Sequence, residues 1–277
     1  MSAPSLIGVD FSGDVTRWSP RCSRSNVWVA LGTSSKFTIR VKSLIPVQEL
    51  DGIGHPFDRL SAFLNRKISG VAAIDAPFSL PHALSEKPEV VWKKVLKLRS
   101  DDRPFARGAS LISEFVPHLA PRGQKILRRT EMCWRARGIN VRSSLWNGPR
   151  GGAPFAAACM TLLARHQGPI WPFKASGDGI VLAEGFPAAQ LVQWNLPSKK
   201  YDGPSDSARE NRKSILDALC ERHGLSLDAD QESKCIESAD ALDAVLCLYG
   251  AAALAHDELV EKSGVHDSTE GIIAVHR

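Results

Sequence analysis

The sequence predicts an α/β protein on a mixed sheet, and three observations carry that prediction. Short apolar runs at Leu6–Asp10, Val71–Asp75 and Ile180–Glu184 read as strands, and each ends in an acid. Strands this apolar are usually covered on both faces, which favours parallel pairing. Asn26–Gly32 and Lys36–Lys42 alternate apolar and polar residues around Thr33–Ser35, the pattern of a hairpin. Ala239–Ala255 is apolar nearly all round and reads as a buried helix.

The remaining elements follow from periodicity and breakers. Pro56–Lys67 places Phe57, Leu60, Phe63 and Leu64 on one helical face. Ser85 followed by Pro88 starts a helix with Val90, Val91, Val95 and Leu98 as its stripe. Further helix is expected over 109–116, 122–136 and Pro154–His166, with a loop at Gly148–Gly152. A short helix reaches Trp194, and Ser205–Glu221 forms another that closes at Gly224. Gly271–His276 reads as a final short strand. No long linker bounds residues 76–175, so they read as a helical insertion within one domain spanning 1–277.

Composition excludes several classes. With 43% apolar and 23% charged residues over 277 positions, the chain is neither a disordered tail, a collagen-like rod nor a disulfide miniprotein. Its longest stretch without strongly polar residues, Ala244–Ala255, is too short to cross a bilayer. The amino terminus has no basic region followed by a long apolar run, so a cytoplasmic protein without a membrane partner is expected. The six cysteines show neither zinc-ligand nor redox spacing and are expected to be reduced, mostly core-filling thiols.

Charge is unevenly placed. Residues 87–150 hold 15 Lys or Arg against 5 Asp or Glu, whereas the rest is mildly acidic. A concentrated positive field attracts a phosphate backbone, and Trp92, Trp134 and Trp146 in the same stretch offer faces for unpaired bases. The alternative is a set of solvated helices whose tryptophans pack inward.

The acids at the strand ends need a reason, because Asp and Glu are depleted in strands. Sites in open α/β sheets form at the carboxyl ends of parallel strands. If the three strands are neighbours, Asp10, Asp75 and Glu184 converge there. Asp240 and Asp243, three apart, share one face of the late helix and complete the constellation. Like charges this close call for a cation, and carboxylates are the hard oxygen ligands Mg²⁺ prefers. Each acid also has a plainer use. Asp10 and Asp75 suit Asx-type turns, Glu184 suits an ion pair with a nearby Arg, and Asp240 and Asp243 suit a helix start capped by Ser238.

Gly8-Val-Asp10, Ala73-Ile-Asp75-Ala-Pro and Asp240-Ala-Leu-Asp243-Ala together resemble the ribonuclease-H-like nucleases. The closer resemblance is to the predicted nuclease family catalogued as domain-of-unknown-function family 429. It extends through Glu184-Gly-Phe-Pro187, Arg129-Thr130-Glu131 (where that family usually has Asp third), Lys200-Tyr201, Arg212 with Ile215-Leu216, and Glu270-Gly-Ile-Ile-Ala-Val. The resemblance implies a five-stranded sheet, with a three-strand antiparallel meander and then parallel strands, flanked by helices. It also implies that Asp10, Asp75 and Asp243, with Asp240 beside them, match the family's metal-binding acids.

The leading expectation is a metal-dependent nuclease acting on DNA or RNA with Mg²⁺ or Mn²⁺. Asp10, Asp75, Asp240 and Asp243 would hold metal, and Glu184 would help complete the catalytic shell. Arg129, Glu131, Lys200 and Arg212 are the candidate substrate contacts. Two other functions fit the same residues: a catalytically silent nucleic-acid-binding protein, and a phosphotransferase of the actin and sugar-kinase type using Gly8-Val-Asp10-Phe-Ser-Gly13 for ATP.

Overall fold

A computed structural model describes residues 5–35, 38–82, 86–116, 126–148, 151–260 and 269–277. In chain order the strands are β1 (Ser5–Asp10), β2 (Trp28–Ser35), β3 (Thr38–Pro46), β4 (Gly70–Asp75), β5 (Ile180–Glu184) and β6 (Leu225–Ser226). The α-helices are α1 (Pro56–Leu64), α2 (Pro88–Lys97), α3 (Gly108–Phe115), α4 (Arg129–Ala136), α5 (Ala153–Arg165), α6 (Pro187–Gln193), α7 (Asp206–Arg222), α8 (Ala229–Glu237) and α9 (Ala239–Ala255).

The strands form one sheet in the order β5-β4-β1-β2-β3-β6. β1, β2 and β3 are an antiparallel meander, and β1, β4 and β5 run parallel. This is the expected α/β mixed sheet with one strand more than five. The addition, β6, pairs parallel to β3 through two residues, too few to leave a periodic signature in the sequence. The end of the chain forms single bridges, Ile273 to Glu184 and His276 to Leu259, in place of the expected strand. The helix expected over 122–136 is present as α4, and residues 117–125 lie outside the described residues.

Strand alternation divides the core into two layers. Ile7, Val9, Ala72, Ile74, Ile180 and Leu182 face one layer, with Trp18, Phe57, Trp92 and the apolar side of α5. Leu6, Ala30, Val71 and Ala73 face the other, filled by α9 and α7. α9 lies directly on β1, because Gly8 has no side chain to hold it off. A Cβ at Gly8 would stand 2.0 Å from the Ala244 carbonyl oxygen and 2.9 Å from the Leu248 nitrogen. No single helix among the described residues is long and apolar enough to cross a membrane. Cys159, Cys235 and Cys247 are buried, whereas Cys22 and Cys133 are half-buried and Cys220 is exposed, so only half of the cysteines fill the core.

Candidate metal centre

The register of the parallel strands decides which acids meet. Asp10 pairs in register with Asp75, and both have the parity of the α9-facing positions. Asp243 projects from the first turns of α9, where the close Gly8 contact brings the helix down on the sheet. One carboxylate oxygen from each of Asp10, Asp75 and Asp243 lies within 4.8 Å of the others. Asp10 is buried, and Asp75 and Asp243 are half-buried.

Burial first, and neighbouring carboxylates second, push all three acids upward. Burial raises Asp10 well above the ordinary carboxylate range, and Asp240, Asp243 and Asp75 raise it further. Asp243 is raised by burial and by Asp75. Asp75 is pushed up to about 7, by burial first and Glu184 second, with Arg142 opposing. Asp240 stands beside the triad rather than within it, raised by burial to about 6 and opposed by Arg17 and Arg212. Ser238 Oγ accepts from the Ala241 N–H at 3.2 Å, so the helix-start use of this segment coexists with the cluster.

Glu184 is aimed elsewhere. It pairs in register with Ile74, one residue off Asp75, and therefore has the parity of the opposite layer. Arg128 there takes both its oxygens, Nη2 to Oε1 at 2.5 Å and Nη1 to Oε2 at 2.7 Å, and the Phe78 N–H adds a bond at 2.9 Å. The ion pair among its plainer uses is what forms.

Other expected residues also have structural work. Glu131 is 2% exposed, and its oxygens accept from Arg128 Nε at 3.0 Å and the Arg128 N–H at 2.8 Å. Burial works against the Arg128 charge, yet Glu184 and Glu131 outweigh it and hold the guanidinium more firmly protonated than usual. Arg212 is fully buried and donates to three backbone carbonyls, so it presents no surface to a substrate. Lys200 and Arg129 are exposed, and the Arg129 N–H donates to Glu270 Oε2 at 2.5 Å. Trp92 and Trp134 are buried, which removes two of the three expected stacking faces; Trp146 is half-buried.

Three neighbours of the triad escaped the sequence reading as site residues. The Tyr201 O–H donates to Asp243 Oδ1 at 2.9 Å. Arg17 and Arg142 are the outer cations that lower Asp240 and Asp75 respectively. Tyr201 had a faint signal, because it adjoins Lys200 in a motif of the resemblance. Arg17 and Arg142 had none, since their approach to the acids depends on tertiary packing.

The model of the family described as "Protein of unknown function (DUF429)" matches residues 8–264. The chain belongs to this family. Neither a curated protein nor a solved structure matches it significantly. In this DUF429 member the triad residues Asp10, Asp75 and Asp243 all fall within the matched span, as do Glu184, Arg128 and Tyr201. Among the described residues none of the three triad acids makes a salt bridge. Three clustered carboxylates, raised first by burial, could hold a metal ion.

Proposed function

We propose that this protein is a divalent-metal-dependent phosphodiesterase acting on nucleic acid, with Mg²⁺ or Mn²⁺ held by Asp10, Asp75 and Asp243. The convergence of those three carboxylates within 4.8 Å carries the reading. The antiparallel meander followed by parallel strands supports the reading, since the ribonuclease-H-like resemblance implies that pattern. The bound ion would polarise a phosphate oxygen and lower the pKa of its water. Asp10, Asp75 and Asp243 supply its negative ligands, and Asp240 adds negative charge at the rim. Arg17 and Arg142, which lower Asp240 and Asp75, attract and orient the phosphate backbone.

The ATP-dependent alternative draws no support from the loop after β1. A Cβ at Gly13 would lie 2.3 Å from the Pro154 carbonyl carbon, so the start of α5 occupies the space against that glycine.

The deciding experiment incubates single- and double-stranded DNA and RNA with the protein and Mn²⁺, beside an Asp75→Asn variant of unchanged circular dichroism. Cleavage of at least one form by the unmodified protein and none by the variant is expected. Cleavage surviving Asp75→Asn removes the metal role of the triad. Salt-dependent binding without cleavage of any form leaves the silent nucleic-acid-binding function.

A further inference from the structure

Asp10 accepts a backbone hydrogen bond from Phe11, whereas one oxygen of Asp243 accepts from a side-chain hydroxyl. The Tyr201 hydroxyl donates to Oδ1 at 2.9 Å, and the tyrosine itself is buried. Its position is built by the chain around it. Lys200 has φ 62° and Gly203 has φ 140°, so the backbone turns sharply on both sides of Tyr201. Arg212 then fastens this turn from α7. Its Nη1 donates to the Tyr201 carbonyl at 2.5 Å and the Gly203 carbonyl at 2.9 Å, and its Nε donates to the Ile236 carbonyl at 2.6 Å. Ile236 lies in the last turn of α8, three residues before α9 begins. One buried guanidinium thus ties the tyrosine's turn to the start of the helix that carries Asp243.

The two oxygens of Asp243 are therefore not equivalent toward an ion. A carboxylate chelating one ion through both oxygens needs both aimed inward. The hydroxyl on Oδ1 competes with that arrangement and favours coordination through Oδ2 alone. Ca²⁺ takes six to eight oxygens and accepts carboxylates that chelate through both. Mg²⁺ demands near-ideal octahedral geometry and usually keeps several waters. Hydrogen-bond partners of ligands commonly fix their orientation and tune the metal.

We propose that Tyr201 selects the ion: by occupying Oδ1 of Asp243 it makes that ligand monodentate and favours a small six-coordinate cation over Ca²⁺. This rests on the metal reading of the triad. Tyr201 and Arg212 are positioning residues, the first acting through Asp243 and the second through Tyr201.

Calorimetric titration with Mn²⁺ alone and Ca²⁺ alone tests this on the full chain and on Tyr201→Phe. The variant is expected to bind Mn²⁺ roughly 10- to 100-fold more weakly. Its Ca²⁺ affinity falls less or rises, so the Mn²⁺/Ca²⁺ preference drops at least about tenfold. A bond that only packs the core would shift both ions alike, and an unchanged ratio overturns the selection role while leaving the metal site standing. Failure of the unmodified chain to bind either ion overturns the metal reading and this inference with it. If Tyr201→Phe does not fold, fluorotyrosine labelling of the natural sequence serves instead. The chain has 2 tyrosines, and Tyr249 donates to the His223 carbonyl at 3.1 Å. Mg²⁺ is expected to move the ¹⁹F resonance of Tyr201 and leave that of Tyr249 in place. A Tyr201 resonance indifferent to an ion that demonstrably binds overturns the proposal.

Discussion

Three carboxylates within 4.8 Å of one another oppose folding unless protons or a cation reside among them. Asp75 makes the consequence measurable. Burial chiefly pushes its native carboxyl up to about 7, whereas an unfolded aspartate titrates at ~3.9. Between these values the folded chain holds a proton that the unfolded chain has released. Stability of the metal-free protein therefore falls as pH rises from about 4 to about 7. Asp75→Asn removes this share of the slope and stabilises the metal-free chain at pH 8 by roughly 1–3 kcal/mol. Urea denaturation in EDTA at pH 5 and pH 8 checks it; a variant with the unmodified chain's pH slope contradicts it. If the triad holds Mn²⁺ as proposed, saturating Mn²⁺ should reverse the trend in the unmodified protein, because bound ligands must be deprotonated. The stabilisation by Mn²⁺ should accordingly grow from pH 5 to pH 8 and vanish in Asp75→Asn.

The strands and α9 bring the triad together, so element packing controls it from a distance. Gly8→Ala would force its new methyl against the Ala244 carbonyl oxygen, 2.0 Å away on backbone that cannot rotate aside. We expect a loss of about 1–3 kcal/mol or more, and weaker Mn²⁺ binding because α9 carries Asp243 away from Asp10. Equal ion affinity in a destabilised variant would uncouple the helix from the site. On the opposite layer, Arg128→Met strands Glu184 and Glu131 as buried carboxylates. It should cost roughly 3–5 kcal/mol, as broken buried pairs do, with partial recovery in the Arg128→Met/Glu184→Gln double variant. Chemical denaturation of the three proteins measures that coupling.

These elements also mark what could be read in advance. The parallel strands were legible because each is apolar and ends in an acid, and α9 because it is apolar all round. Asp243 was legible through its spacing from Asp240. The fate of Glu184 was not, since one residue of strand register separates the α9 face from the Arg128 face, and register is absent from any single run. Arg128 reads in the sequence as one more cation of a basic stretch; only the fold places it between two acids. α8 escaped because its buried side is little more than Gln231 and Cys235, too small a stripe to stand out.

Across the whole molecule, an acidic cluster at Asp10, Asp75 and Asp243 contrasts with the basic stretch 87–150. The surplus of residues 87–150 is partly internal, because Arg128 is neutralised at 1% exposure and adds nothing to the outward field. Arg129, Arg135, Arg137 and Arg142 are exposed. Of these, Arg142 acts directly on Asp75, while Arg17 approaches Asp240 from the loop after β1. A backbone crossing the triad would therefore meet a cation from each of two distant parts of the chain. Arg17→Ala and Arg142→Ala should each weaken binding of a single-stranded oligonucleotide about tenfold, the worth of one charged hydrogen bond. Each should also flatten the logarithmic salt dependence by about 0.7. Fluorescence anisotropy across a salt series in EDTA reads both effects without cleavage, and Mn²⁺ titration of the same variants shows whether the ion site is intact. The positive charge that draws a nearby carboxyl downward also repels a divalent ion, so Mn²⁺ affinity in either variant should hold or rise slightly rather than fall. Arg135→Ala, on α4 and not among the charges that shift the triad acids, serves as the comparison. If it flattens the salt slope as much as Arg142→Ala does, the nucleic acid is held by a diffuse basic surface and the two arginines have no special place at the acids.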